Sequence, residues 1–334
     1  MVRFSDVLTI VNGKNQKNVE NPNGQYPIYG SGGIMGYADK YLCEAETVII
    51  GRKGSINNPI YVDEPFWNVD TAFGLVSDKN ILIPKYLYYF CVKFDFNKLN
   101  TTVTIPSLTK ANLLDVEMNL PTVEEQAVIV NTLDKVENII GVRKQQLQKL
   151  NELVKARFVE MFGNSEYPKY KWDDVFKTTT GKLDSNAMVE GGLYPFFTCA
   201  KEVYRINDYA FDQEALLLAG NNAAGKYDVK YYNGKFNAYQ RTYVLSLKGE
   251  WVYPLFKYQL EDKLLYLQQQ SLGGLTKYLT LKILGELEFI VPPIELQNQF
   301  AAFVEQVDKS KLHVQKSLGK LEILKKSLMQ KYFG

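Results

Sequence analysis

A phrase of seven residues occurs twice in this chain, each time between a hydrophobic stretch and a long helix-like run. LPTVEEQ occupies residues 120–126 and VPPIELQ occupies residues 291–297, an offset of 171 (291 − 120). Similarity at a fixed period is the sequence signature of a repeated architecture. One such pair can arise by chance, whereas a duplication predicts further matches at the same offset.

Further matches follow at nearly the same offset through the rest of the chain. The matching pairs, each located by its first residue, are YPIYG at 26 with YPFFT at 194, TVIIGRKG at 47 with ALLLAGNN at 215, WNVDTAFGLV at 67 with FNAYQRTYVL at 236, SLTKANLLDVEMNLP at 107 with YLTLKILGELEFIVP at 278, and MFG at 161 with YFG at 332. The offset rises only from 168 (194 − 26) to 171 (332 − 161). We therefore predict a tandem duplication with its join after Gly163, which suits two domains in a chain of 334 residues.

The end of each copy predicts one long helix. Residues 124–162 and 295–333 contain no proline and are rich in Leu, Lys, Glu and Gln, whereas Pro121 and Pro293 lie just before them. Acidic residues open both segments, which suits the positive end of a helix dipole. At about 1.5 Å per residue, each helix would be roughly 57 Å long.

Apolar residues recur in both segments at alternating spacings of three and four, which is typical of a coiled coil. The predicted helix-pair seam consists of Leu133, Val136, Ile140, Leu147, Leu150 and Val154 in the first helix and Val304, Val307, Val314, Leu318, Leu321 and Leu328 in the second. Basic residues interrupt the seam at Arg143 and Arg157, and at Lys311 and Lys325, and these interruptions do not coincide between the copies. We therefore expect the helices to pair with each other; the alternative is that the basic side chains only extend from the edge of the seam into water.

The remainder of each copy predicts a mixed α/β globule. Short β-type runs such as TVIIG, PIYVD, ALLLAG and TYVLSL are separated by Gly and Asn turns, and helices are expected near PKYLYYFCVKF and PLFKYQLEDKLLYLQQQ. The predicted fold class is α+β, with two pseudo-symmetric mixed α/β domains joined by two long paired helices. The predicted domains are residues 1–121 and 164–291, and the predicted helical segments are residues 122–163 and 292–334.

Composition narrows the class of protein. The net charge is only +2, so nucleic-acid binding would depend on local basic patches. The three cysteines, Cys43, Cys91 and Cys199, are far apart and form no CxxC pair, which predicts a reducing compartment without disulfides or a zinc knuckle. No apolar run reaches membrane-spanning length and the N-terminal residues do not resemble a signal peptide, so we expect a cytoplasmic protein with no membrane partner.

Sequence motifs for catalysis are weak throughout. The Pro-Pro pair in VPPIE lacks the polar and aromatic neighbours of a methyltransferase NPPY-like loop, YGSGG lacks the GxGxxG frame, and GRKGS lacks the spacing of a phosphate loop. The single histidine, His313, lies beside the predicted seam without a second histidine or a cysteine pair to complete a metal site. We therefore predict no catalytic residue, no metal site and no cofactor bound by this chain.

The polar turns between the predicted strands are the candidate binding elements. Asn, Gln, Arg and Lys bond base edges, and Lys, Ser and Thr contact phosphates. Ordinary solvated loops share this composition, but here such turns recur at matching places in both copies. The candidate DNA-binding residues are Lys14, Arg52, Lys53, Ser55, Asn57, Thr102 and Lys110 in the first copy and Lys201, Arg205, Asn221, Asn222, Lys226, Gln240, Arg241 and Lys277 in the second.

The tips of these turns differ between the copies while the frame repeats. IGRKGSINNP stands against AGNNAAGKYD, and DTAF stands against YQRT. The pattern favours two readers on one scaffold, each with its own target sequence.

The chain resembles the specificity subunit of type I restriction–modification enzymes. The resemblance covers nearly all 334 residues and rests on the two globule–helix units, the YPIYGSGG and YPFF motifs, the LPTVEEQ and VPPIELQ junctions, and the helix ends FVEMFG and LMQKYFG. It implies that each globule is a target-recognition domain for double-stranded DNA, and that the two helices are conserved regions packed antiparallel as a spacer.

The resemblance also implies function and partners. It implies a non-catalytic subunit that reads a bipartite target with an unread gap. Two methyltransferase (modification) subunits would bring S-adenosylmethionine, and motor-nuclease (restriction) subunits would use ATP and Mg²⁺. Two alternatives stay open: a repeat scaffold whose coiled coil assembles partner proteins without reading DNA, and one part of a split methyltransferase.

Overall fold

The computed structural model describes residues 1–100, 106–163, 166–223 and 225–334. By contact, the chain separates into two compact units: the first unit is Met1–Gln145 with Gln315–Gly334, and the second unit is Gln146–Val314. Each unit therefore holds one globule and a stretch of both long helices. The four-part division made from the sequence stays a prediction.

The first copy begins with a β-rich globule and ends in a long helix. Its strands are β1 Val2–Arg3, β2 Leu8–Asn12, β3 Tyr26–Gly30, β4 Gly33–Ala38, β5 Thr47–Gly51, β6 Ile60–Val62, β7 Trp67–Asn68, β8 Ala72–Ser77 and β9 Glu117–Met118. Its helices are α1 Phe4–Val7, α2 Pro84–Lys93, α3 Lys110–Leu114 and α4 Val123–Phe162, with a 3-10 turn at Phe96–Leu99.

The second copy repeats this order, and two of its strands are longer than their counterparts in the first copy. Its strands are β10 Lys169–Lys171, β11 Phe176–Thr180, β12 Tyr194–Phe197, β13 Tyr204–Ile206, β14 Phe211–Ala219, β15 Asn221–Asn222, β16 Val229–Ala238, β17 Thr242–Leu247, β18 Lys277–Tyr278 and β19 Glu288–Ile290. Its helices are α5 Trp172–Val175, α6 Tyr253–Asp262, α7 Leu264–Gln270, α8 Leu281–Gly285 and α9 Ile294–Phe333, with a 3-10 turn at Ser185–Ala187.

The two globules have similar strand orders, although two sheets of the first correspond to one sheet of the second. Besides the two-stranded pairs β1-β9, β10-β19 and β15-β18, the described residues of the first unit form the sheets β2-β8-β5-β6 and β4-β3-β7, and those of the second unit form the sheet β11-β17-β14-β16-β12-β13. A short parallel pair occurs in each: Ile28 opposes Trp67, and Phe196 opposes Asn237. This register gives an offset of 170 (237 − 67) for the YQRT segment, one more than the sequence alignment.

The core of each globule forms around a buried central strand. All five residues of TVIIG in β5 are buried, as are the last five of β14, so both strands are covered on two faces. Helices α2 and α6 lie against these strands. The helical run expected near residues 254–270 consists of two helices, α6 and α7. Between them the Lys263 N–H donates to the Leu260 carbonyl, three residues back, as in a tightened turn.

The two long helices have 40 residues each, and all twelve predicted seam residues are buried or half-buried. In the first unit, Glu137 of α4 pairs with Lys325 of α9 at 2.6 Å, while Ile129 shares a pocket wall with Tyr332. The segments therefore run antiparallel.

The helix segments of the second unit have the same direction. Phe162 lies 5.8 Å from Phe300 between ring centroids, and the Arg157 guanidinium lies 5.8 Å from the Phe303 ring. Residue numbers thus fall along α4 as they rise along α9. The predicted class, mixed α/β domains with two long antiparallel helices, is confirmed.

Candidate nucleic-acid interface

Three strand ends meet at one edge of the first globule, which we call the first edge. Strand β8 opposes β2 and β5, so the ends of β2 and β5 lie beside the start of β8. Two backbone bonds tie the turns together: Lys14 N donates to Asn68 O at 2.9 Å, and Arg52 N donates to Thr71 O at 2.8 Å. Lys14 and Arg52 are exposed there.

A further loop is bonded to the same edge. Lys53 pairs with Ser107 as an isolated bridge, Gly54 N donates to Pro106 O at 3.0 Å, and Leu108 N donates to Arg52 O at 2.9 Å. Gly54 has a φ of +76°, a left-handed conformation that suits glycine. The turn thus projects exposed Arg52, Lys53 and Ser55 from a backbone held on two sides.

Two candidates of the first copy use their side chains to hold the fold. The Asn57 amide donates to Asp95 Oδ1 at 2.9 Å while its oxygen accepts from Phe96 N at 2.7 Å. Hydrogen bonding from Asn57 lowers the pKa of Asp95. The Lys110 ammonium donates to Ile10 O at 2.8 Å. Thr102 lies outside the described residues.

The second edge is built in the same way in the second globule. Gly220 N donates to Arg241 O at 2.8 Å, Leu279 N donates to Gly220 O at 2.8 Å, and Gln240 N donates to Leu183 O at 2.9 Å. Burial raises the pKa of Tyr243, whose hydroxyl donates to Leu279 O at 3.0 Å. The edge therefore joins four separate segments of the chain through its backbone.

Several candidates converge on the second edge. Arg241 and Gln240 are exposed, and Asn222 opposes Lys277 in the β15–β18 pair. Lys226 is exposed, and its backbone N–H donates to Asn222 Oδ1 at 3.3 Å. Asn221 is half-buried next to Asn222.

The remaining two candidates lie in the β12–β13 hairpin region. Lys201 is exposed before β13, next to Ala200, whose carbonyl accepts a bond from the Lys230 ammonium at 2.9 Å. The Arg205 guanidinium donates to the carbonyls of Gly192 and Leu193, both at 3.0 Å. Arg205 is thereby committed to the hairpin, whereas Lys201 is left exposed.

The two edges share backbone bonds and differ in side chains. The Arg52 N to Thr71 O bond corresponds to the Gly220 N to Arg241 O bond. The Leu108 N to Arg52 O bond likewise corresponds to the Leu279 N to Gly220 O bond. Thus Arg52 stands where Gly220 stands, and Thr71 stands where Arg241 stands. One frame presents two different sets of polar groups.

Residue-type reasoning missed three members of the edges. Asp70 and Thr71 occupy the places of Gln240 and Arg241; the alignment of DTAF with YQRT pointed to this segment but was one residue out of register. Asp184 accepts a bond from the Gln240 amide at 2.8 Å and so orients it. No sequence signal marks Asp184.

The described residues, 1–100, 106–163, 166–223 and 225–334, contain no cluster of three or more His, Cys, Asp or Glu side chains suited to a metal ion. Within the same ranges, every helix is too short or too polar to span a membrane.

Comparison with known proteins identifies the family. A profile described as "Type I restriction modification DNA specificity domain" matches residues 1–152 and again residues 164–322. The chain belongs to this family. The two matches fall on the two copies, and each contains one of the edges. Membership confirms the predicted family and the predicted class, a DNA specificity protein rather than a catalytic subunit.

Individual relatives agree with the family. The chain is 37% identical to the type I restriction enzyme EcoDI specificity subunit of Escherichia coli over 152 residues, which are 45% of this chain and 32% of the relative's length. Its fold is similar to the crystal structure of a type I restriction–modification S subunit from M. genitalium, with a TM-score of 0.74, 18% identity, and coverage of 100% of this chain and 95% of that chain.

A second solved structure extends the likeness in fold. It is described as the structural basis of complex assembly and conformational transition of the type I R-M system. The TM-score is 0.52 at 16% identity, and the match covers 99% of this chain and 96% of that chain.

Proposed function

We propose that this protein is a non-catalytic subunit that reads a bipartite DNA target through its two edges and recruits partner subunits. The observation that carries the proposal is the pair of edges: one backbone frame, built twice, presents different polar side chains. Base edges in the major groove are distinguished by such donors and acceptors. Two frames with different tips would read two different words.

The long helices supply the second part of the proposal. At about 1.5 Å per residue, a 40-residue helix such as α4 is about 60 Å long. Half-sites about one duplex turn apart are separated by about 34–36 Å, which a helix pair of this length can bridge. We therefore propose that the helix pair determines the length of an unread gap between the two words.

Assembly with other subunits completes the proposal. We propose two methyltransferase subunits, which would bind S-adenosylmethionine, and motor-nuclease subunits, which would use ATP and Mg²⁺, all acting with this chain in the cytoplasm. Exposed apolar side chains on the helices, such as Val128 at 64% and Val142 at 50% exposure, offer surface for protein contacts. A solved structure described in terms of complex assembly of the type I system shares this fold.

Methylome sequencing tests whether the edges read separate words. The chain would be expressed with its methyltransferase subunits, either unchanged, with Arg52→Ala and Lys53→Ala, or with Gln240→Ala and Arg241→Ala. The first double variant should alter only one word and the second only the other, because the two sets lie on different edges. Loss of both words in either variant, from a complex that still assembles, would contradict two independent readers.

Binding measurements test the assembly role. The net charge of +2 gives few phosphate contacts, so the isolated chain should bind duplex weakly. Adding methyltransferase subunits should tighten binding. Equal affinity with and without them would argue for a self-sufficient DNA-binding protein.

A further inference from the structure

Exposed lysines are distributed over the side of α9 that faces away from the seam in the first unit. We call this set the lysine stripe: Lys320, Lys326 and Lys331 of α9, with Lys93 at the end of α2. The Lys93 ammonium donates to Gln330 of α9 at 2.7 Å, which holds the end of α2 against this face. Spacings of five and six residues keep the α9 lysines away from the buried seam positions Leu321 and Leu328.

The stripe is unneutralised within the part of the chain that the structure describes. The ion pairs of α9 there involve other lysines, namely Lys309 with Glu305, Lys311 with Asp308 and Lys325 with Glu137. Glu322 is the one carboxylate in the sequence 315–333, and it forms none of those pairs. The ammonium groups of Lys320, Lys326 and Lys331 thus have no carboxylate partner among these pairs, and that of Lys93 donates to the neutral amide of Gln330.

The second copy provides an internal comparison. The equivalent positions, 171 residues earlier in α4 and the last residue of α6, carry Lys149, Lys155, Glu160 and Asp262. The charge of the set is therefore +4 in the first unit and 0 in the second. Both copies keep the same fold, so the fold itself does not require this charge.

The stripe is continuous with the first edge. Lys93 is two residues from Asp95, which accepts the bond from Asn57 at 2.9 Å, and Asn57 belongs to the turn that projects Arg52 and Lys53. Lys98 is exposed in the 3-10 turn between them. The segment after α2, which carries exposed Lys98, therefore links the turn of the first edge to the end of α9.

We propose that the lysine stripe binds the phosphate backbone of duplex DNA outside the first word, without reading sequence. Lysine is a point charge on a flexible stem, which suits phosphates rather than base edges. Continuity with the first edge favours a nucleic acid over an acidic protein as the occupant. The inference rests on the proposed function and adds a contact that only the first unit makes.

The test compares two matched double variants of the full chain. Lys320→Gln with Lys326→Gln removes two charges from the stripe, and Lys149→Gln with Lys155→Gln removes the same charges at the duplicate positions. Binding to a random-sequence 30-base-pair duplex is measured by fluorescence anisotropy across a salt series. The stripe variant should reduce the slope of log affinity against log salt by about 1.8, since each phosphate contact contributes about 0.9.

The control variant should change the slope by less than half as much, because Glu160 and Asp262 already offset its lysines. Equal changes in the two variants, or none in the stripe variant, would overturn the inference. Weaker binding of poly-glutamate peptide with an unchanged DNA slope would assign the stripe to an acidic protein instead, which also overturns it.

Failure of the stripe inference can be distinguished from failure of the proposed function. Unchanged slopes with both words still methylated would refute phosphate binding by the lysine stripe and leave the proposed function standing. If neither the unaltered chain nor its assembled complex bound any duplex, both the inference and the proposed function would be refuted.

Discussion

The buried side chain of Gln126 accepts a hydrogen bond from the backbone N–H of Ile83 at 2.8 Å. Its amide nitrogen donates to the carbonyls of Ile81 and Pro121 at 2.8 and 2.9 Å. Gln126 lies in the first turn of α4, and Ile83 is the residue that caps α2. One amide thus fastens the start of the long helix to the globule.

The second copy repeats this fastening. Gln297 accepts from the N–H of Val252, the cap residue of α6, at 3.1 Å and donates to Pro292 O at 2.8 Å. The repeated phrases LPTVEEQ and VPPIELQ end on these glutamines. The physical reason for the repetition is therefore a buried amide that satisfies backbone groups at a domain–helix junction.

Replacing this amide should destabilise the protein without changing its DNA words. Gln297→Leu leaves the Val252 N–H and the Pro292 carbonyl without partners, and each such group costs about 1–3 kcal/mol. We expect a loss of about 2–4 kcal/mol in the free energy of unfolding, measured by urea denaturation. Gln299→Leu, at an exposed position of the same helix, is the control and should change it by less than about 0.5 kcal/mol. Similar losses for both variants would contradict the junction role.

Asn57 should behave as a structural residue with a pH signature. Its hydrogen bond lowers the pKa of Asp95, so this interaction stabilises the fold above the unfolded pKa and is lost as pH falls through the folded pKa. In Asn57→Ala, the pKa of Asp95 should rise toward its ordinary value, as followed by carboxyl-carbon NMR. The stability difference from the unaltered chain should shrink below about pH 4. Asn58→Ala is the neighbouring control, and an unshifted Asp95 pKa in Asn57→Ala would refute this account.

Glycines inside the long helices should be replaceable with a gain in stability. A Cβ at Gly141 or Gly319 would meet no heavy atom within 4 Å, and glycine in a helix interior costs about 0.5–1 kcal/mol relative to alanine. Gly141→Ala and Gly319→Ala should each raise the free energy of unfolding by about that amount. Gly13→Ala and Gly181→Ala form the opposite control, since a Cβ there would lie 1.7 Å from Val69 O and 1.8 Å from Ala238 O. A loss at the helical sites comparable to that at the control sites would show that the helices need these glycines.

The long helices were predictable because a seam repeated along 40 residues is a strong signal. The β5 and β17 bounds were also predictable, since TVIIG and TYVLSL are unbroken β-type runs. The parallel β3–β7 pair was not, because β7 has only two residues and carries no periodicity. Local patterns specify elements, whereas pairing depends on residues distant in sequence.

The candidate site was predictable as a set of turns but not residue by residue. Arg52 and Arg241 are exposed at their edges, whereas Arg205 bonds two carbonyls of its own hairpin. Residue type alone does not distinguish an arginine that faces solvent from one that holds a turn. That difference arises from the groups that folding brings within reach. They are the Ile10 carbonyl for Lys110, and the Asp95 carboxylate with the Phe96 N–H for Asn57.

Lengthening both helices together should lengthen the gap between the two DNA words. Glu137 and Lys325 form an ion pair between the antiparallel helices. Gln145 lies eight residues after Glu137 and Ser317 lies eight residues before Lys325, so Gln145 and Ser317 stand opposite each other. One heptad inserted after each keeps the seam in phase and adds about 10 Å. At about 3.4 Å per base pair, methylome sequencing should show a gap longer by about three base pairs and both words unchanged. The same heptad in α4 alone would leave seven residues without partners and should lower stability. An unchanged gap with the paired insertion, in a complex that still methylates, would show that the helix pair does not determine the gap length.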